Sequence, residues 1–194
     1  DQVRRSVRSV RGNQWMFRVS MKDRWVAPFL VTAARARSRS GRIGLMYEGT
    51  GWGQGAVPDV TAAMRAVNTP IAATETFNIA DTDMTAPLTP MRDREAANIV
   101  RSMDRLGYKP QIISAWGIGV QFAQTAGPLA EGVIVAGTYT WMGQLPPRAQ
   151  TVLAGMQSRF PQIRTPADLL MPSGTANAYD AVYIIAEALK IAGR

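Results

Sequence analysis

The sequence predicts an α/β fold in which helices cover a mainly parallel β-sheet. The main observation is that short apolar runs of β type alternate with longer segments whose apolar residues recur at helical spacing. Length and composition agree, since 194 residues of which 46% are hydrophobic can bury the core of one large domain or two small ones. Parallel strands are favoured because each segment between two strands is long enough to hold a crossover helix.

Five β-type runs are predicted as strands. Each is short, rich in apolar or β-branched residues, and separated from the next by a helical pattern. In chain order they are WMFRVS (15–20), RIGLMY (42–47), PIAATETF (70–77), PQIISA (110–115) and GVIVAGTY (132–139).

Helical patterns fill the segments between these strands. The first begins at Asp23, which we expect to cap it, and its residues Trp25, Phe29 and Ala33 recur four positions apart. The next four are AVPDVTAAMRAV (56–67), residues 85–106, a short pattern from Val120 to a break at Gly127, and residues 147–160.

The last helical pattern, NAYDAVYIIAEALKIAG, is the strongest. Tyr179, Val182, Ile185 and Leu189 form one apolar face, and Gly193 stands where a glycine commonly ends a helix.

One segment departs from the alternation. No β-type run occurs between Asp83 and Gly107, although the other helical segments are followed by one at a normal distance. The charged stretch MRDREAAN in its middle has no turn signal. Either one long helix runs through it, or two helices meet there and a strand and loop are missing near residues 90–98.

Composition excludes several kinds of chemistry. The chain has no cysteine and no histidine, so disulfides, thiolate or imidazole metal sites, and Ser-His or Cys-His nucleophiles are absent. No cluster of carboxylates, and no Lys, Ser and acid together, surrounds one candidate loop, so we predict neither catalysis nor a cofactor. No apolar run approaches the ~20 residues of a membrane span. Since the first residues lack the apolar core of a secretion signal, either the protein is cytosolic or a leader lies outside this chain.

The net charge of +8 comes from the beginning of the chain. Residues 1–42 hold eleven of the 22 basic side chains and only Asp1 and Asp23 as acids. Such an excess could neutralise phosphates, but no aromatic residue lies among the arginines of residues 4–11 or 35–42, as a single-strand binding surface requires. A solvated helix face is the better interpretation, and no nucleic-acid partner is predicted.

The stretch LMYEGTGWGQG (45–55) raises a choice between a nucleotide site and a loop that holds another ligand. Gly51, Gly53 and Ala56 fit the spacing G-x-G-x-x-A, but a dinucleotide fingerprint needs its first glycine directly at the strand end. Four residues, 47–50, intervene here, and there is no P-loop motif, so a nucleotide-binding enzyme stays a minor alternative. The favoured interpretation places Trp52 on a flexible loop at the carboxyl edge of a parallel sheet, where ligands of such folds bind.

Six motifs in order resemble the periplasmic solute-binding receptors of ABC transporters of the branched-chain amino acid type. They span residues 14–193 and read WMFRVSMKD, RIGLMYEGTGWGQG, ETFNIADTDMTAPLTPMRD, ANIVRSMDRLGYKPQIISAWGIG, LAEGVIVAGTY and ANAYDAVYIIAEALKIAG. The resemblance implies a type I periplasmic-binding-protein fold, in which two α/β lobes close on a small ligand and then dock on a membrane permease. It also implies a periplasmic location.

The resemblance implies ligand residues at two strand ends. Trp52 stands where the family often places a tyrosine against the ligand, and Trp116 stands where the amino-acid binders place an acid that pairs with the ligand ammonium. A buried ammonium would lose a strong partner without that acid, so an aromatic or aliphatic acid suits two tryptophans better, and a quaternary amine could make a cation–π contact. Tyr47, Thr50 and Gly117 complete the candidate ligand residues, with Thr50 and the Gly117 N–H as candidate carboxylate donors.

Two departures from the family imply a shortened chain. Only DQVRRSVRSVRG stands where the family has a long first lobe, and the strand and loop near residues 90–98 are missing. We therefore expect residues 1–20 to be a partial first-lobe or crossover segment, 21–140 the second lobe, and 141–194 returning helices of the first lobe. The expected function is a solute-binding receptor or a fragment of one. A ligand-sensing regulatory domain of the same fold is the alternative.

Overall fold

The computed structural model describes residues 17–78 and 93–193. These fall into two compact units, one formed by residues 22–78 and 93–136 and the other by residues 17–21 together with residues 137–193. We call the first the α/β unit and the second the C-terminal unit.

The α/β unit alternates helices and strands, as the sequence predicts. In chain order its elements are α1 (Asp23–Arg37), β1 (Ile43–Glu48), α2 (Gly51–Ala66), β2 (Ile71–Phe77), α3 (Asp93–Arg105), β3 (Ile113–Ser114), α4 (Val120–Ala126), a 3-10 turn (Gly127–Ala130) and β4 (Ile134–Val135).

The strands pair in parallel, but they form two separate pairs. β1 pairs with β2 from Ile43↔Ile71 to Glu48↔Phe77, and β3 pairs with β4 at Ile113↔Ile134. The prediction of parallel strands is confirmed. The predicted single sheet is not found among the described residues, where the strands form two separate pairs. The sequence offers no β-type run between residues 83 and 107 that could join the pairs, and β3 and β4 are only two residues long.

The interior of the α/β unit has two apolar clusters. α1 packs on α2, and the residues buried around them include Val26, Val31 and Met64. α3 packs on α4 and the following 3-10 turn, with Val100 and Phe122 in that cluster. α1 also contacts β3, which links the first helical cluster to the second pair of strands.

One predicted cap and one predicted helix start are corrected. Asp23 does not cap α1, because the N-cap is Lys22 and Asp23 is the first helical residue. α2 begins at Gly51 rather than at residue 56, so the glycine cluster is the first turn of a helix. The helices from Val120 and from Pro147 have the predicted starts. Of the pattern at 85–106, residues 85–92 lie outside the described part, and residues 93–105 form α3.

The C-terminal unit contains α5 (Pro147–Arg159), a 3-10 turn (Pro166–Asp168) and α6 (Pro172–Ile191). The Trp141 indole N–H donates to the Pro172 carbonyl at 2.9 Å, and Ser173 Oγ accepts from the Thr138 N–H at 3.1 Å, so the segment before α5 is tied to the start of α6. Of the predicted strand 15–20, only Phe17 is a β-bridge residue among the four that are described.

α6 contains no buried residue, although its sequence is the most apolar of the predicted helices. The side chains of Val182, Ile185 and Leu189 are 64%, 59% and 47% exposed. The apolar face predicted for this helix is therefore largely exposed. Among the described helices, none is both long and apolar enough to cross a membrane.

Candidate functional site

The candidate site lies where β1 ends and α2 begins. The Gly49 N–H donates to the Phe77 carbonyl at 2.6 Å, which continues the pairing of β1 and β2 to the end of both strands. Thr50 is the N-cap of α2, and its carbonyl accepts the Gln54 N–H at 2.9 Å. Only two residues therefore separate the last residue of β1 from the first residue of α2.

Gly53 allows this tight connection. A Cβ added at Gly53 would lie 2.0 Å from the Glu48 carbonyl oxygen, a distance that no side chain tolerates. Gly53 is buried, so the first turn of α2 rests directly on the backbone at the end of β1. The glycine is present for a close backbone approach rather than for a flexible loop.

Glu48 is a buried acid at this strand end, and it is 8% exposed. Its carboxylate accepts a hydrogen bond from the Thr50 hydroxyl, and Thr50 Oγ1 in turn accepts the Gly53 N–H at 3.5 Å. Sequence reasoning missed Glu48 and treated it only as one of the residues that separate the strand from the glycines. The signal that could have found it is an acid two residues before a Thr N-cap.

Trp52 and Gly117 lie together. A Cβ added at Gly117 would be 3.4 Å from Cη2 and 4.0 Å from Cζ3 of the Trp52 indole, so the ring lies against the Gly117 backbone. Trp52 is in the first turn of α2 and is 48% exposed, which corrects its predicted place on a flexible loop. The contact places the segments after β1 and after β3 at a common edge of the α/β unit.

Trp116 and Tyr47 are both half-buried near this edge. Trp116 is covalently next to Gly117, and Tyr47 pairs with Thr76 one residue before the end of β1. Within the described ranges, no ring contact joins either side chain to Trp52. The structure thus brings together Trp52, Gly117 and Thr50 with Glu48 behind it.

The groups at the site are suited to holding a small molecule. Searched over the described residues, the structure has no group of three or more acidic side chains that could hold a metal ion. An aromatic face, a half-buried hydroxyl and exposed backbone groups can hold a small organic molecule without reacting with it.

The family model described as "Periplasmic binding protein" matches residues 8–194, which is nearly the whole chain. The chain belongs to the periplasmic binding protein family. No curated protein sequence matches it.

Solved structures of periplasmic binding proteins share the fold. A branched-chain amino acid ABC transporter structure from Thermus thermophilus, with bound valine, matches with a TM-score of 0.78 and 18% identity over 96% of this chain and 52% of that one. A leucine binding protein from Thermotoga maritima matches with a TM-score of 0.77 and 17% identity over 94% and 54%. A type 1 periplasmic binding protein from Bordetella pertussis matches with a TM-score of 0.73 and 18% identity over 89% of this chain and 51% of that one. The chain spans about half the length of these proteins.

The predicted family and the predicted type I periplasmic-binding-protein fold are thus confirmed. The expected lobe boundaries at residues 20 and 140, and the strand expected to be missing near 90–98, stay predictions; residues 79–92 lie outside the described part. The ligand roles of Trp52, Trp116, Tyr47, Thr50 and Gly117 also stay predictions.

Proposed function

We propose that this chain is a substrate-binding receptor of an ABC transporter, or a part of one, and that it captures a small organic acid or an amino-acid-like solute. In this proposal the ligand lies at the common edge of the α/β unit, against Trp52 and beside Gly117. The partner that receives the ligand is the membrane permease of the transporter, and the location is the periplasm.

The observation that carries the proposal is the contact between Trp52 and Gly117. It joins the turns after β1 and β3, and the carboxyl ends of parallel strands are where open α/β sheets bind ligands. A half-exposed indole fixed by a backbone contact offers a rigid apolar face at little entropic cost, as ligand sites commonly do.

The binding of valine by the Thermus thermophilus structure supports a ligand of similar size. The residue at position 116 is a tryptophan rather than an acid, so the charged groups of the ligand need not be those of an ordinary amino acid. Stacking on Trp52 and Trp116 is worth roughly 1–2 kcal/mol each, below the ~8 kcal/mol of a micromolar complex. We therefore expect millimolar affinity from the α/β unit of this chain.

The proposal is tested by titrating the whole chain with aromatic acids, aliphatic acids and quaternary amines. The measurement is the saturable shift of the Trp52 indole N–H and the Gly117 amide in nitrogen–proton NMR spectra. Trp52→Ala should abolish the Gly117 shift. Phe29→Ala removes another exposed aromatic, 67% exposed on α1, and should leave the shift unchanged. A saturable shift of the Gly117 amide in the Trp52→Ala variant would overturn the proposed site.

A further inference from the structure

We propose that Glu48 is a positioning residue that makes Thr50 an acceptor of hydrogen bonds, so that the ligand group held at the end of β1 is a hydrogen-bond donor such as an ammonium. This inference rests on the proposed function and names the polarity of the ligand at that site. It reverses the expectation that Thr50 donates to a ligand carboxylate.

The first step concerns the proton of the Thr50 hydroxyl. A hydroxyl has one proton to donate and two lone pairs, whereas a carboxylate only accepts. Since Glu48 Oε1 and Thr50 Oγ1 are hydrogen-bonded, Thr50 is the donor and its proton is committed to Glu48. The Gly53 N–H approaches Thr50 Oγ1 at 3.5 Å and uses at most one lone pair weakly. What Thr50 can offer a ligand is the other lone pair.

The second step concerns charge. The N-terminus of a helix such as α2 carries about half a positive charge and would attract an anion. Here the Glu48 carboxylate, bonded to the N-cap, supplies a full negative charge next to the first turn of that helix. Across the described ranges, no Lys or Arg forms an ion pair with Glu48. The protein's own acid therefore balances the helix end and leaves the site with excess negative charge.

The third step concerns burial. Glu48 is 8% exposed, so it lies behind Thr50 and its charge is screened less than that of a surface carboxylate. The tight packing of Gly53 on the Glu48 carbonyl holds the backbone on both sides of Thr50. Glu48 thus acts on the ligand through Thr50 rather than by contact.

The test compares two ligands with the same apolar part and opposite end groups, n-butylammonium and butyrate. Each is titrated into the whole chain at tens of millimolar while the amide shifts of Thr50, Gly53 and Gly117 are followed by NMR. Since a hydrogen bond to a charged group is worth about 1.5–3 kcal/mol, n-butylammonium should bind at least about tenfold more tightly than butyrate.

Variants at the two positions separate positioning from structure. Thr50→Val should lose the preference for n-butylammonium, while Thr50→Ser, which keeps the hydroxyl, should retain it. Glu48→Gln should invert the preference, because the glutamine amide can donate to Thr50 Oγ1 and release the hydroxyl proton to a carboxylate. If Glu48→Gln does not fold, the Val and Ser variants at Thr50 still decide the question.

The outcomes are distinct. A preference for butyrate that depends on Thr50 would overturn this inference. The proposed ligand site at this edge would still stand. Shifts from either ligand that are equal in Thr50→Val and Thr50→Ser would overturn the role of Thr50. The absence of any saturable shift would overturn both the inference and the use of this edge as the ligand site.

Discussion

The Trp52 indole lies against the backbone of Gly117, with Cη2 3.4 Å from the point where a Cβ at residue 117 would stand. This relationship joins a helix start to a turn 65 positions later in the sequence. Space for the ring depends on the absence of a side chain at Gly117. The pair therefore defines both the shape and the rigidity of the candidate site.

Gly117→Val should displace the Trp52 ring. A Cβ at this position already touches the ring, and the two additional methyl groups of valine have no room beside it. We expect a shift of the Trp52 indole N–H resonance and loss of ligand-induced shifts at this edge. Gly155→Ala, where a Cβ meets nothing within 4 Å, is the control and should leave the indole resonance unchanged. An unchanged Trp52 resonance in Gly117→Val would contradict the contact.

Gly53→Ala should destabilise the protein although it lies in a helix. Helix propensity alone favours alanine over glycine by about 1 kcal/mol. The clash with the Glu48 carbonyl reverses the sign, and we expect a loss of about 2 kcal/mol or more in the free energy of unfolding. Gly55→Ala, two residues later in α2 and with open space around its Cβ, should stabilise the protein or leave it unchanged. Urea unfolding of the two variants measures the difference; equal effects would contradict the close approach.

Asp168 should titrate below its ordinary range. Its Oδ2 accepts the Thr165 N–H at 2.7 Å, the Thr165 hydroxyl at 3.0 Å and the Arg164 N–H at 3.0 Å. The hydrogen bonds from Thr165, first of all, hold the pKa of Asp168 below its usual 3.8. Because the folded pKa is the lower one, the stabilisation is fully present above pH 3.8 and is lost as the pH falls through the folded pKa.

NMR titration of the Thr165 amide checks this expectation. Its midpoint should lie below the ordinary Asp value, and Asp168→Asn should remove the transition. A midpoint at or above 3.8 would contradict the hydrogen bonds that end the segment before the 3-10 turn.

Arg148 on α5 should lower the pKa of a tyrosine on α6. Its guanidinium Cζ lies 4.1 Å from the centroid of the Tyr183 ring, and its Nε donates to the Tyr179 hydroxyl at 2.9 Å. Hydrogen bonding to Tyr179, and then to Arg148, lowers the pKa of Tyr183 from its usual 10.0. The associated stabilisation is therefore present above pH 10 and is lost as the pH falls through the folded pKa.

Phenolate absorbance measured against pH tests the role of Arg148. Arg148→Ala should raise the pKa of Tyr183, and Arg148→Lys should restore it only in part, because an ammonium keeps the charge but not the planar stacking. Arg159→Ala, at the other end of α5, is the control. An identical titration of Tyr183 in Arg148→Ala and in the unchanged chain would contradict this expectation.

Periodicity predicted most of the elements because it reports which faces are buried. β1 and β2 lie within one residue of their predicted bounds, and α1 has the predicted start. The start of α2 was not predictable from local preference, because glycines disfavour helices and only the contact of Gly53 with Glu48 shows why that glycine is there. The Glu48–Thr50 hydrogen bond was missed for a related reason. Burial of an acid depends on the tertiary fold and cannot be predicted from either residue alone.

The uncovered face of α6 has a consequence for behaviour in solution. The apolar side chains of Val182, Ile185 and Leu189 attract other copies of the chain, whereas the net charge of +8 repels them. Salt shortens the range of the repulsion, from about 10 Å at 0.1 M to about 3 Å at 1 M, without weakening the attraction. The chain should thus remain dispersed in dilute buffer and associate as ionic strength rises. Light scattering would reveal a salt threshold that Ile185→Lys moves upward.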